Sequence, residues 1–351
     1  MADVRGDYAK ASTVVAQSDA VVTDITTAWD GLYVSQMLGG VDRLLRFRFS
    51  GRLVAGGRLE SVPLPAGPAI RDVVTSRNRT GALVRLEGWT EARKYVAFDP
   101  RSGKISDTDL QPKSPVDFSG IVSERLMATA KDGVKIPVSL RYKRSAPRNG
   151  DTPALVSAYG AYGIVYPQFF SPTSMAWLER GGILATCHVR GGGEFGDEWH
   201  RAGQKLNKPN SWRDLIACSE FLIEQQFTRK EKLAIAGGSA GGITVGRALT
   251  ERPELFAAVI PEVGVMDTLR AEFTPNGPPN IPEFGSVKTE DGFRGLLAMS
   301  SLHNVQDGTR YPAVLLLHGA NDPRVEVWHS TKMAARLQQA AAGVANANPV
   351  L

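Results

Sequence analysis

From about residue 20 to residue 105, apolar and polar residues alternate in short runs broken by Gly, Asp, Asn and Pro. A period of two with no sustained helical period predicts half-buried strands. They fall at Val21 to Asp24, Gly31 to Ser35, Leu44 to Phe49, Val73 to Thr75, Ala82 to Leu86 and Tyr95 to Phe98. The run Asp30-Gly31-Leu32-Tyr33-Val34 leading to Leu44-Leu45-Arg46-Phe47 resembles Thr80-Gly81-Ala82-Leu83-Val84 leading to Tyr95-Val96-Ala97-Phe98, at an offset of 50 or 51 residues. That period suits a four-stranded propeller blade, so two blades are expected. Two blades cannot close a ring that takes about four or more, and their edges would need partners. A small independent β-sandwich is the alternative.

After a Pro-rich boundary at Pro112 to Pro115 the pattern changes. Apolar strand candidates (Ala154 to Ala158, Ile183 to Val189, Leu233 to Ala236, Ala257 to Ile260, Ala313 to His318) alternate with helix candidates (Ser174 to Arg180, Trp212 to Glu224, Gly242 to Glu251, Ser330 to Ala341). Near-continuous apolar strands between helices predict a parallel, doubly wound sheet buried on both faces. The expected organisation is thus a β domain over 1–115 and an α/β domain over 116–351.

Composition changes this picture little. Hydrophobic residues at 42% and charged residues at 22% are ordinary for a globular protein. The 41 basic and 36 acidic residues give a net charge of +5 but are spread along the chain. Basic spells such as Arg43 to Arg52 alternate with apolar residues as solvated strand faces do, so no nucleic-acid partner is expected. Cys187 and Cys218 lack CxxC spacing and read as buried reduced thiols, with a disulfide or metal site as the alternative. No metal and no cofactor is expected. No run reaches the ~18 to 20 apolar residues of a membrane span, and no basic and apolar leader opens the chain. The chain as given therefore reads as cytoplasmic with no membrane partner, a periplasmic parent is left open, and nothing specifies an oligomeric state.

The candidate chemistry lies in Lys232-Leu233-Ala234-Ile235-Ala236-Gly237-Gly238-Ser239-Ala240-Gly241-Gly242-Ile243, where a strand runs through a Gly-dense turn into a helix. A Gly-x-Ser-x-Gly nucleophile elbow needs that context, because the serine takes a strained backbone and its small neighbours let strand and helix close up. Ser239 is the candidate nucleophile of an α/β-hydrolase; plain packing or phosphate binding is the other use of such a turn. Asp322 follows in the loop after the strand pattern Ala313 to His318, where a triad carboxylate belongs. A loop-capping aspartate is its alternative.

Five stretches in order carry a resemblance: Lys131 to Val138 (KDGVKIPV), Tyr159 to Gly163 (YGAYG), Val189 to Gly196 (VRGGGEFG), Gly237 to Gly242 (GGSAGG) and Asn321 to Val325 (NDPRV). With them the chain from about Ser119 onward resembles the catalytic domain of the prolyl oligopeptidase family of serine peptidases. The resemblance implies an α/β-hydrolase catalytic domain preceded by the last blades, about two, of a partial β-propeller. It implies Ser239 as nucleophile, the Ala240 amide and Tyr159 hydroxyl as oxyanion hole, Tyr162 as an aromatic lining the S1 pocket, and Arg324 as a donor to a substrate carbonyl. Tyr159 and Tyr162 as core aromatics, and Arg324 as a surface ion-pair residue, are the structural alternatives.

The family's histidine base lies beyond the helix at Ser330 to Ala341, and Asn348 to Leu351 looks like the start of the next strand. The expectation is a peptidase domain lacking its last strand, His loop and helix. Of the five histidines, His200 and His303 lie in segments without triad context, His188 ends a strand, His318 ends the strand four residues before Asp322, and His329 follows on a helix start; one of them standing in for the base is the alternative. The family's proline-specific members carry a Trp where Asp267 to Ser301 offers only Phe273, Phe284 and Phe293. The expected function is hydrolysis of short peptides, after proline by resemblance, through an acyl-enzyme on Ser239, impaired without the base. A catalytically inactive fragment and an esterase of the same fold are the alternatives; an esterase would call for a His-Gly-Gly-Gly loop where YGAYG stands.

Overall fold

The computed structural model describes residues 13–50, 53–111 and 113–351. Residues 1–12 of the expected β domain, Arg52 of the basic spell and Pro112 of the expected boundary lie outside the described residues. The chain forms two compact units, one ending at Val116 and taking in Gln168–Phe170, the other comprising Asp117–Pro167 and Ser171–Leu351.

The first unit holds two antiparallel four-stranded sheets in simple meander order. Strands β1 (Val21–Ala28), β2 (Gly31–Leu38), β3 (Val41–Ser50) and β4 (Leu53–Ser61) form one; β5 (Ala69–Ser76), β6 (Arg79–Glu87), β7 (Lys94–Asp99) and β8 (Lys104–Asp107) form the other. Tyr33, Leu44, Val73, Val84, Val96 and Phe98 share one buried cluster. The repeat noted above has a steric cause. A Cβ on Gly31 would sit 2.2 Å from the Phe47 carbonyl oxygen, and one on Gly81 2.3 Å from that of Phe98. Each sheet thus brings a neighbouring strand's backbone so close that only glycine fits.

The second unit is built on a seven-stranded sheet. Its strands are β9 (Ile121–Thr129), β10 (Lys135–Lys143), β11 (Ala154–Ser157), β12 (Ile183–Cys187), β13 (Leu233–Gly238), β14 (Ala258–Glu262) and β15 (Ala313–Val314). The order is β15-β14-β13-β11-β12-β10-β9. Five strands, β12 to β15 and β11, run parallel. The all-parallel expectation needs correcting at β9 and β10, which pair antiparallel, β10 also lying antiparallel to β12. The Asp132-Gly133 turn, with Gly133 at φ 86° and Ala130 N–H bonded to Val134 O, sends the chain straight back. A tight turn can join only antiparallel neighbours.

The helices are α1 (Met175–Leu178), α2 (Asp197–Arg201), α3 (Pro209–Glu224), α4 (Gly241–Glu251), α5 (Thr268–Ala271), α6 (Ile281–Phe284), α7 (Glu290–Met299) and α8 (Trp328–Ala340). Both α1 and α3 pack on β10 and β12, and α4 packs on β13 and β14. Consecutive residues Ile136 to Leu140 are all buried, so the sheet is covered on both faces. Beyond β15 the ladder extends: Val314 N–H bonds Pro349 O and Leu316 N–H bonds Leu351 O, a parallel pairing.

Cys187 and Cys218 form a disulfide from the end of β12 to α3, which corrects the reading as reduced thiols; both are buried, as expected. Their separation of 31 residues hid the pairing, since only the packing of α3 on β12 brings them together. Among the described residues no helix is long and apolar enough to cross a membrane, and no cluster of three or more His, Cys, Asp or Glu is placed to hold a metal ion.

Candidate active site

Ser239 sits between β13 and α4 with φ 53°, a left-handed conformation that costs a non-glycine residue on the order of 1–3 kcal/mol. Its backbone is pinned on every side. Ser239 N–H donates to Glu262 O (2.9 Å), and Ser239 O accepts from Gly242 N–H (2.9 Å) and Val265 N–H (3.1 Å). The glycines are required by space: a Cβ on Gly237 would lie 2.9 Å from Ala158 O, and one on Gly242 2.4 Å from Gly264 Cα. Strand, helix and the loop after β14 therefore close on one point, and the serine is forced out of the turn. Ala240 is buried at the start of α4, and its N–H has no backbone partner among the described residues. An open N–H at a helix N-terminus is the group an oxyanion would use.

A cavity of about 330 Å³ opens at Ser239. Its walls include Tyr159, Tyr162, Val265, Phe284, Arg324 and His329. Four of the six residues singled out from sequence, Ser239, Tyr159, Tyr162 and Arg324, thus border one space. Ala240 and Asp322 do not line it. Burial raises the Tyr159 hydroxyl above its ordinary range, opposed by a hydrogen bond with Ser239 and by the charge of Arg324. Tyr159 therefore stays a neutral donor at neutral pH.

Tyr162 also takes a left-handed backbone, φ 60°. Its N–H donates to Glu283 Oε1 (2.8 Å) and its hydroxyl to Asn280 Oδ1 (2.8 Å). Its ring meets Phe284 edge-to-face with centroids 5.5 Å apart. Of the three phenylalanines offered in place of the missing tryptophan, Phe284 lines the cavity; Phe273 and Phe293 are exposed.

Asp322 stands in the loop after β15. Its Oδ1 accepts the N–H groups of Val325 (3.0 Å) and Arg324 (2.8 Å), which hold the carboxyl below its usual range. The aspartate thus orders its own loop and remains charged. All five histidines have other partners. His188 meets Glu194 and Ser139, His200 meets Glu283, His303 meets Ser300, and His318 meets Ser330 and Val325 O. His329 lines the cavity, but its Nδ1 accepts from the N–H groups of Met266 (3.3 Å) and Asp267 (3.2 Å). Burial pushes it down to about 4, so it is a neutral ring. Among the described residues no histidine hydrogen-bonds Ser239 or Asp322.

The other stretches of the resemblance are structural anchors. Arg190 grips buried Asp214 of α3 with Nε and Nη2 and reaches Asp132 with Nη1 (2.6 Å). Sequence reading missed Glu283 and Lys208, and it weighed His329 only as a stand-in base, not as a wall of the cavity. Glu283 meets its partners 83 and 121 residues away in the chain, so no local pattern marks it.

Sheet order, crossover helices and the strand-turn-helix at Ser239 define an α/β-hydrolase fold, carried on a chain that also holds two propeller-like four-stranded sheets. A family model described as "Prolyl oligopeptidase family" matches residues 168–347. The chain belongs to the prolyl oligopeptidase family, whose members are serine peptidases. It is 39% identical to a prolyl endopeptidase of Dictyostelium discoideum, across 93% of this chain and 43% of that protein. With a prolyl endopeptidase of Elizabethkingia meningoseptica the identity is 30%, across 90% and 44%. Prolyl oligopeptidase B from Galerina marginata, solved with a hydrolysis and macrocyclization substrate, superposes with a TM-score of 0.87 at 28% identity, over 95% of this chain and 47% of that one. The chain thus spans somewhat under half the length of the relatives it matches.

Proposed function

We propose that this chain is the catalytic portion of a serine peptidase that hydrolyses short peptides after proline through an acyl-enzyme on Ser239. Residues 1–115 would supply the last propeller blades and 116–351 the peptidase domain. Ser239 Oγ attacks the scissile carbonyl, the Ala240 N–H and Tyr159 hydroxyl receive the oxyanion, Tyr162 with Phe284 walls the pocket for the residue before the scissile bond, and Arg324 donates to a substrate carbonyl. Asp322 keeps its charge to orient an imidazole. The observation that carries this reading is Ser239 held left-handed at the mouth of a cavity it shares with Tyr159, Tyr162 and Arg324.

One observation favours a second reading for this chain alone. Every histidine is engaged elsewhere, so Ser239 has no base within these residues. Losing a histidine base costs on the order of a millionfold in turnover in a comparable triad. The oxyanion hole and binding then leave roughly a thousandfold over water. The chain by itself would then bind peptides and cleave them very slowly. The Cys187–Cys218 bridge favours an oxidising compartment, the periplasm, over the cytoplasm.

Labelling with a fluorophosphonate probe separates the readings. Rapid labelling lost in Ser239→Ala supports an activated serine; labelling no faster than in Ser239→Ala leaves the peptide-binding reading. Turnover of a nitrophenyl ester faster than a Pro-containing chromogenic peptide would favour the esterase.

A further inference from the structure

The loop Tyr159 to Gly163 brings both candidate donor and pocket wall to the cavity, yet its backbone is costly. Gly160, Tyr162 and Gly163 all have left-handed φ, at 76°, 60° and 64°. A bulky aromatic in that region is an outlier that persists only when its surroundings dictate it. What dictates it here is a buried polar cluster drawn from elsewhere in the chain.

We propose that Glu283 is a positioning residue for the site: its carboxylate, held from behind by His200 and Gln204, fixes Tyr162 in the left-handed conformation and so sets the pocket wall and the adjoining Tyr159. This rests on the reading of the cavity as a peptide site. Glu283 is 4% exposed. One oxygen accepts the Tyr162 N–H, and the other accepts His200 Nε2 (2.7 Å) and Gln204 Nε2 (3.4 Å). Glu283 belongs to α6, the same helix as Phe284, the ring that meets Tyr162 edge-to-face. A single carboxylate therefore ties together both aromatic walls of the cavity. On the other side of the loop, the ammonium of fully buried Lys208 and the Ser211 hydroxyl donate to Gly160 O. Lys208 also faces Glu283 electrostatically and lies 5.6 Å from the centre of the Phe284 ring.

A buried charge is tolerated when its hydrogen bonds are complete, and removing it strands its partners. Replacing Glu283 with Leu leaves the Tyr162 N–H and His200 without acceptors. Glu283→Gln keeps one carbonyl for the Tyr162 N–H, while its amide can face the other imidazole tautomer of His200.

Two measurements on the full chain test this. Amide hydrogen exchange at Tyr162 should quicken at least tenfold in Glu283→Leu and return to within threefold of wild type in Glu283→Gln, with β13 and α4 amides unchanged. Affinity for a fluorescein-labelled Ala-Ala-Pro peptide, read by anisotropy, should follow the same order. Unchanged Tyr162 exchange in a folded Glu283→Leu would overturn the assignment, as would equal loss in both variants. Should Glu283→Leu fail to fold, Gln204→Ala and His200→Phe, each removing one support behind the carboxylate, are expected to quicken Tyr162 exchange at least threefold. Wild-type exchange in both would refute the proposal. Absence of peptide binding by the wild type would count against the peptide-site reading, and the exchange data would still decide the role of Glu283.

Discussion

At the scale of single residues, the elbow shows how far a local pattern reaches. Gly237, Gly238 and Ser239 were legible because a strand followed by glycines, serine and helix is one continuous segment. Their reason is steric and becomes visible only in three dimensions. A methyl on Gly242 would meet the Gly264 backbone, whereas one on exposed Gly120 would meet nothing within 4 Å. Overpacking a close backbone contact costs about 1–3 kcal/mol, and an open surface position within about 0.5 kcal/mol. Gly242→Ala is therefore expected to lower the urea midpoint and slow probe labelling of Ser239, and Gly120→Ala to leave both unchanged. Equal midpoints for the two variants would remove the argument from close approach. Glu283 and Lys208 were illegible for the opposite reason: an isolated charged residue looks solvated until distant segments cover it.

At the scale of elements, alternation located most strands but not all. The strand β4 contains Gly56-Gly57, and β8 has one apolar residue, Ile105, in four, so neither offered a period to count. Helices α5 and α6 are four residues each, within a Pro- and Gly-rich stretch, too short for a 3.6-residue period to show. The antiparallel hairpin of β9 and β10 was hidden because its polar residues carry partners across the sheet. Arg190 joins these elements: it links the Asp132 turn of that hairpin, its own position just beyond β12, and Asp214 on α3. The Cys187–Cys218 bridge ties the same two elements, β12 and α3, a few residues away. Removing Arg190 would leave the Asp214 carboxylate buried and unpaired, a loss of about 3–5 kcal/mol. Arg190→Ala should thus depress the urea midpoint sharply, and Arg190→Ala with Asp214→Leu should recover part of it. A double variant no better than the single would show that the geometry of the pair, and not the stranded charge, carries the cost.

At the scale of the whole molecule, buried titratable groups give stability a definite pH profile. His329 is held neutral down to about 4 by burial, against 6.5 for a free ring, so the unfolded chain binds a proton that the native state refuses between those values. Stability must rise with pH across that window. Burial lowers His188 in the same direction, and carboxyls held low by hydrogen bonds, such as Asp322, add to the acid loss at still lower pH. Lys208 repeats the logic at the other end. Burial pushes its ammonium down to about 8, against 10.5 unfolded, so the native state is again the poorer proton binder and stability rises from pH 8 upward. Each window is worth on the order of 3 kcal/mol. Above pH 10 the sign reverses, because burial raises Tyr33, Tyr159 and Tyr162 while the unfolded tyrosines ionise. The urea midpoint should therefore climb from pH 4 to 6.5, stay level to 8, climb again to about 10 and then fall. Lys208→Met should abolish the second climb alone, and His329→Asn, which keeps an acceptor for the Met266 and Asp267 amides, should shrink the first alone. A Lys208→Met profile that still climbs from pH 8 to 10 would show that another group, and not the buried Lys208 ammonium, produces the rise.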